Sequence, residues 1–157
     1  MTNKELVLEA LNKLGITEAT SLQEKFSEMT DTEIIDLERA IPDWSKSKDY
    51  TSSPVGLPVS DEGQIWSLIQ PHRASDYDGR PSTLRALWGL KHTKNPLKAK
   101  AWVDPYGTSG MYMKDECYLD ADGHVYRSNT DNNVWDHTAY AQYWDDLGLL
   151  EDLKANA

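Results

Sequence analysis

Every tryptophan and tyrosine in this chain falls inside one stretch. Six Trp and eight Tyr lie between Trp44 and Trp144, and Phe26 is the only aromatic residue before them. A segment so rich in rings, with only short apolar runs, must build its cores largely from aromatic packing. Cys117 is the single cysteine, so no internal disulfide can staple the fold. Modules of about 40–60 residues bury a small fraction of their surface and need support from a neighbour. The change of texture near Pro42 therefore marks a boundary between differently built parts.

Residues 1–41 read as a three-helix head. Thr2 and Glu5 have capping-box spacing, and Leu6, Val7, Ala10, Leu11 and Leu14 follow at helical spacing until Gly15. Ser21 with Glu24 starts a second short helix carrying Leu22, Phe26 and Met29. Thr30 with Glu33 starts a third, carrying Ile34, Ile35, Leu37 and Ile41, and Pro42 ends it. Nine acidic and four basic residues place half of the net charge of −10 in this head. It is either a cap that stabilises the next module or a docking head for a larger assembly.

Beyond Pro42, Gly, Pro, Asp and Ser punctuate short apolar runs, which predicts strands and turns. Residues 58–66 and 118–126 both read as strand, tight turn, strand. Asp122-Gly123 is the stronger turn signal, because both central positions of the favoured hairpin turn need positive φ; Glu62-Gly63 is weaker. The two hairpins align at an offset of 60, Val59 with Leu119, Gly63 with Gly123, Ile65 with Val125 and Trp66 with Tyr126. The segment from Gly79-Arg80-Pro81 to Leu87-Trp88 parallels that from Trp135-Asp136-His137 to Tyr143-Trp144. Trp44 and Tyr50 open the first copy; Trp102 with Tyr106 or Tyr112 opens the second. The expected fold class is α+β: a small N-terminal helical head followed by two tandem small antiparallel β modules. The expected boundaries are head 1–41, first aromatic β module 42–90, linker 91–99, second aromatic β module 100–147 and C-terminal tail 148–157. Lys91, Lys94, Lys98 and Lys100 form the one basic cluster, a solvated connector or a contact for an acidic neighbour.

The second module resembles the chitin-binding type of small carbohydrate-binding module, families five and twelve. The resemblance rests on Trp102, Tyr112, Tyr118-Leu119, the hairpin Gly123-His124-Val125-Tyr126, the loop Asn129-Thr130-Asp131-Asn132-Asn133, Trp135 and the closing Trp144. It is nearest to the versions appended to tail and baseplate proteins of phages and prophages of Gram-positive bacteria. It covers roughly 45 residues well and the preceding 50 more loosely, and it does not extend to the head. The sequence departs from the family pattern in three ways. His137 stands where a proline is common, Asp115-Glu116 replaces Gly-Asp, and Gly79 replaces the loop Trp in the first module. The last departure implies that the first module serves as scaffold.

What the resemblance implies about function matches what the residues allow. A flat ring suits the C–H face of a sugar, and nearby Asn, Asp and His suit its hydroxyls. The candidate carbohydrate-binding residues are Trp135, Asn133 and His137 in the loop, Tyr140 and Tyr143 near the closing Trp144, and Tyr77 in the first module. Trp135 is either such a platform or a plug for the module's core; Trp102, Trp88 and Trp144 read as core. No catalytic residue, metal ligand set or cofactor is expected. The four His have no zinc-ligand spacing, Asp120-Ala121-Asp122-Gly123 lacks the late acidic ligand of a calcium loop, and Cys117 reads as a buried small hydrophobe in a strand, Glu116-Cys117-Tyr118-Leu119. The acidic charge excludes nucleic acid as the main partner, and no apolar run has the length for membrane insertion. The N-terminus has no signal-peptide pattern, so synthesis in a host cytoplasm is expected. The expected function is a non-enzymatic phage tail or baseplate-associated virion protein that binds host cell-surface polysaccharide. Its partners would be a glycan, other virion proteins and further copies of itself. The alternative is a purely structural virion protein whose modules make subunit contacts.

Overall fold

A computed structural model describes residues 25–157. The first expected helix and the start of the second lie outside the described residues. The chain divides into two compact units after Gly89. The described residues have an α+β organisation with two sheets and two short α-helices.

In the first unit the expected third helix is realised in two pieces. Helix α1, Asp31–Asp36, begins on a full capping box: the Thr30 hydroxyl accepts from Glu33 N–H, and the Glu33 carboxylate accepts from Thr30 N–H. A 3-10 turn, Glu38–Ala40, follows, and Ile34, Ile35, Leu37 and Ile41 are buried as their spacing predicts. Three strands, β1 (Pro58–Asp61), β2 (Gln64–Leu68) and β3 (Trp88–Leu90), form a sheet in that order. Gly56 takes φ +93°, and a Cβ there would meet the Phe26 ring at 3.0 Å, so the 3-10 turn Phe26–Glu28 seats its aromatic directly on this loop.

The second unit has four strands in chain order: β4 (Lys100–Ala101), β5 (Cys117–Leu119), β6 (His124–Ser128) and β7 (Trp144–Leu149). Here the expectation of antiparallel sheets needs correction. β4 pairs with β5 in parallel, because residues 102–116 supply the long crossover that a parallel pair requires. The first unit has a parallel bridge at the same place, Asp43 with Ser60. The stretch expected as a linker carries buried His92 and Thr93, with Thr93 bridged to Cys117. The stretch expected as a tail contains the end of β7 and helix α2 (Leu150–Ala155). Leu150 and Leu153 of that helix pack on Ala99, Cys117 and Val125.

The two units repeat one backbone pattern. Tyr50 N–H donates to His72 O, as Tyr112 N–H does to Asn133 O, which makes Tyr112 rather than Tyr106 the counterpart of Tyr50. Arg80 O accepts from the amides of Thr83 and Leu84; Asp136 O accepts from those of Ala139 and Tyr140. The hairpins differ by one residue. Glu62 and Gly63, at φ +52° and +76°, make a two-residue turn between Asp61 and Gln64. In the second hairpin only Gly123 has positive φ (+89°), and Asp120 closes a three-residue loop by bonding to both Gly123 and His124. The Asp122 carboxylate holds this longer turn by accepting from His124 N–H at 2.9 Å. Val59 faces Trp66 while Tyr118 faces Tyr126, so Val59 corresponds to Tyr118 and not to Leu119 as the uniform offset predicts. One inserted residue moves a strand's side chains to the opposite face, and β5 has slipped by that amount.

Two outcomes follow from the second unit's packing. Burial pushes the Cys117 thiol up to about 12, so it should resist thiol reagents at neutral pH until the protein unfolds. Rapid labelling of native protein would contradict this placement. His124 Nδ1 meets the Asp146 carboxylate at 2.9 Å; this hydrogen bond is the main reason its pKa is raised and that of Asp146 is lowered. The His124 contribution is therefore complete below the unfolded value of about 6.5 and lost as pH rises through the raised folded value. The stability difference between wild type and His124→Gln should shrink over that interval in pH-dependent urea titrations.

Candidate carbohydrate-binding face

The second unit's core is a cluster of rings. Trp144 packs edge-on against Tyr118 at 4.8 Å and against Tyr112 at 5.4 Å, and Trp102 stacks on Tyr112 at 5.0 Å. Tyr112, Tyr118 and Trp144 are buried. The indole N–H of Trp144 donates to the carbonyl of Trp135 at 2.7 Å. This bond ties the loop to the core by its main chain and leaves the Trp135 ring outside.

Trp135 is 53% exposed, Tyr140 40% and Tyr143 37%. Their rings adjoin: Trp135 meets Tyr140 at 5.9 Å with planes tilted by 40°, and Tyr140 meets Tyr143 at 5.4 Å with planes 15° apart. Three of the six predicted residues are thus brought together in an exposed aromatic strip. The turn that carries them is fixed by backbone bonds from Ala139 and Tyr140 to Asp136 O and from Tyr143 to Tyr140 O.

The other three predicted residues have different positions. Asn133 is 2% exposed; its amide donates to Ser128 Oγ at 3.0 Å and to Tyr143 O at 3.3 Å. It anchors the strip from beneath and has no surface for a sugar, because Asn132 at φ +54° turns the chain and places the next side chain inward. His137 stacks on Tyr126 at 3.8 Å, and its Nδ1 meets the Tyr118 hydroxyl, so its ring contacts are with the core. Tyr77 belongs to the first unit; it is 40% exposed and stands edge-on to buried His72.

Beside Trp135 lies an open groove of about 500 Å³, lined by Trp102, Asp104, Pro105, Gly107, Trp135 and Asp136 among others. Asp104 Oδ1 accepts the Trp102 indole N–H at 2.7 Å. Asp136 Oδ1 accepts from the Thr138 hydroxyl and from Ala139 N–H; the Thr138 bond is the larger cause of its lowered pKa. Trp102, read as core from the sequence, is half-buried and lines this groove. Tyr106, at the tip of the adjoining turn, is 60% exposed. The signal available for these residues was local: an Asp two positions after Trp102, and a Pro-Tyr-Gly turn after it.

The first unit shows that its backbone does not need these surface rings. The hydrogen-bonded turns match at an offset of 56, so Gly79, Leu84 and Leu87 occupy the places of Trp135, Tyr140 and Tyr143. Leu87 is buried and Leu84 half-buried. A Cβ at Gly79 would meet Thr83 Oγ1 at 2.5 Å, at a φ of +140°, so no larger residue fits without rearrangement.

No known protein-family model matches the sequence, and no curated protein matches it. The geometry of the second unit therefore carries the functional reading. An exposed ring contributes little to folding: Trp135→Ala should change stability by under about 1 kcal/mol. Trp144→Ala should cost about 3–5 kcal/mol. Urea midpoints of the two variants against wild type would test this separation; equal losses would place Trp135 in the core.

Proposed function

We propose that this chain is a non-enzymatic carbohydrate-binding protein whose second unit presents Trp135, Tyr140 and Tyr143 to a polysaccharide. The carrying observation is the exposed aromatic strip on a turn that the first unit builds with glycine and leucines instead. Each ring covered by a sugar face contributes on the order of 1.5–3 kcal/mol, so one copy binds weakly and repeated copies are needed for retention. The resemblance to chitin-binding modules extends the proposal. It reads the two units as tandem modules behind a helical head, carried on a phage tail or baseplate, with host cell-surface polysaccharide as ligand. A virion supplies the many copies that weak sites require.

The exposed Val55 and Ile69 of the first unit favour a second reading, in which apolar surface makes contacts between virion subunits. Pulldown on cell-wall polysaccharide, paired with sedimentation, separates the two. Trp135→Ala and Tyr140→Ala should each weaken retention by at least about tenfold without changing oligomeric state. Undiminished retention in both variants removes the strip from the site; a change of oligomeric state alone supports assembly.

A further inference from the structure

The sequence has two Asp-Gly pairs, Asp78-Gly79 and Asp122-Gly123. In such a pair the aspartyl side chain and the next amide nitrogen can close a succinimide ring, because glycine has no Cβ to hinder the approach. Ring closure requires an unengaged carboxyl, an unengaged amide and a backbone free to bring them together. The second pair meets none of these requirements. Gly123 N–H donates to the Asp120 carbonyl at 3.0 Å, and the Asp122 carboxylate accepts from His124 N–H at 2.9 Å. Both bonds belong to the hairpin loop between β5 and β6, so cyclisation there must break them and open the hairpin.

The first pair is open. Asp78 is exposed and lies outside any helix or strand. Neither its carboxylate nor the Gly79 N–H has a partner among the described residues. The chain is held on either side instead: the Tyr77 carbonyl accepts from Lys46 Nζ, and Arg80 N–H donates to Thr83 Oγ1 at 3.0 Å. The fold also dictates the residue type, since a Cβ at Gly79 would meet Thr83 Oγ1 at 2.5 Å. The tight turn that requires glycine therefore sets the least hindered amide beside an unengaged aspartate. The second unit has Val134-Trp135 at the matching place, which has no carboxyl to cyclise.

We infer that Asp78 is a site of spontaneous isomerisation to isoaspartate, and that folding protects Asp122 from the same reaction. The inference stands apart from the glycan reading. The Gly79 nitrogen attacks Cγ of the protonated Asp78 side chain and forms a C–N bond. The amide hydrogen and the carboxyl hydroxyl leave together as water. A water molecule then opens the succinimide. Attack at the Cγ carbonyl restores aspartate. Attack at the Asp78 main-chain carbonyl leaves the chain running through Cβ and Cγ, with a free α-carboxylate, as isoaspartate. Water is the only co-reactant, and the mass of the chain is unchanged.

Ageing the full chain in warm, mildly acidic buffer, beside a parallel sample unfolded in urea, tests the inference. Peptide mapping with electron-transfer fragmentation locates isoaspartate, and labelling by protein isoaspartyl methyltransferase quantifies it. In the folded chain Asp78 should convert at least about tenfold faster than Asp122, because two hydrogen bonds must first break at the second site. In urea the two rates should converge, since neither pair is then held by the fold. Asp78→Glu, whose longer side chain does not form the succinimide, should abolish the signal at this position and leave Asp122 as in wild type. Equal rates at the two sites in the folded chain overturn the inference. An Asp78 excess of the same size in urea also overturns it, assigning the difference to the neighbouring residues in sequence. Isoaspartate that forms at Asp78 only in the unfolded sample overturns it as well.

Discussion

The Trp144 indole N–H bonded to the Trp135 carbonyl is the interaction on which the second unit's surface depends. Trp144 is held on three sides by Trp102, Tyr112 and Tyr118, so its N–H points from a fixed place. A unit without disulfides and with few aliphatics obtains its order from such edge-to-face contacts, which are directional in a way that aliphatic packing is not. One polar atom of the core then sets the position of the loop, and the loop sets the strip. The first unit makes an informative contrast. Trp88 occupies the place of Trp144 and is fully buried, but its indole N–H has no acceptor among the described residues. The turn there has Gly79 in the place of Trp135 and leucines in the places of Tyr140 and Tyr143.

Much of this was legible in the chain. The hairpins appear where the glycines place them, and the turn ending in Trp144 matches that ending in Trp88 residue for residue. The capping box at Thr30 forms as its spacing predicts. Where the structure differs from the sequence pattern, the causes are local. A dipeptide signal could not determine turn length at Asp122-Gly123, because the Asp122 carboxylate bonds forward to His124 N–H and favours the longer loop. The slip of β5 follows from that single bond pattern. Asn133 is a surface amide by residue type; the left-handed Asn132 before it turns it inward, where its amide donates to Ser128 Oγ and Tyr143 O. Trp102 has two faces in different surroundings, and composition does not distinguish a ring buried on one side from one buried on both.

The slip of β5 also explains the seat of α2. With Tyr118 facing the aromatic core, Leu119 turns to the other side of the sheet, opposite Val125. Leu147, Leu150 and Leu153 close over that side together with Leu119. The first unit has Ser60 opposite Ile65 at the matching pair, a polar residue where the second has leucine. A one-residue change in a turn thus accompanies a second apolar face and the helix that covers it.

Under the proposed function, the backbone bonds of the Asp136–Tyr143 turn would bear on how a weakly bound sugar is held. A loop that must be ordered on contact loses conformational freedom, and this loss offsets much of what one sugar face contributes. Here the carbonyls of Asp136 and Tyr140 already hold the turn, and the core indole already holds the Trp135 carbonyl. The backbone beneath the aromatic strip is held without a ligand, so under the proposed function a sugar would give up little of its small contact energy to ordering the turn.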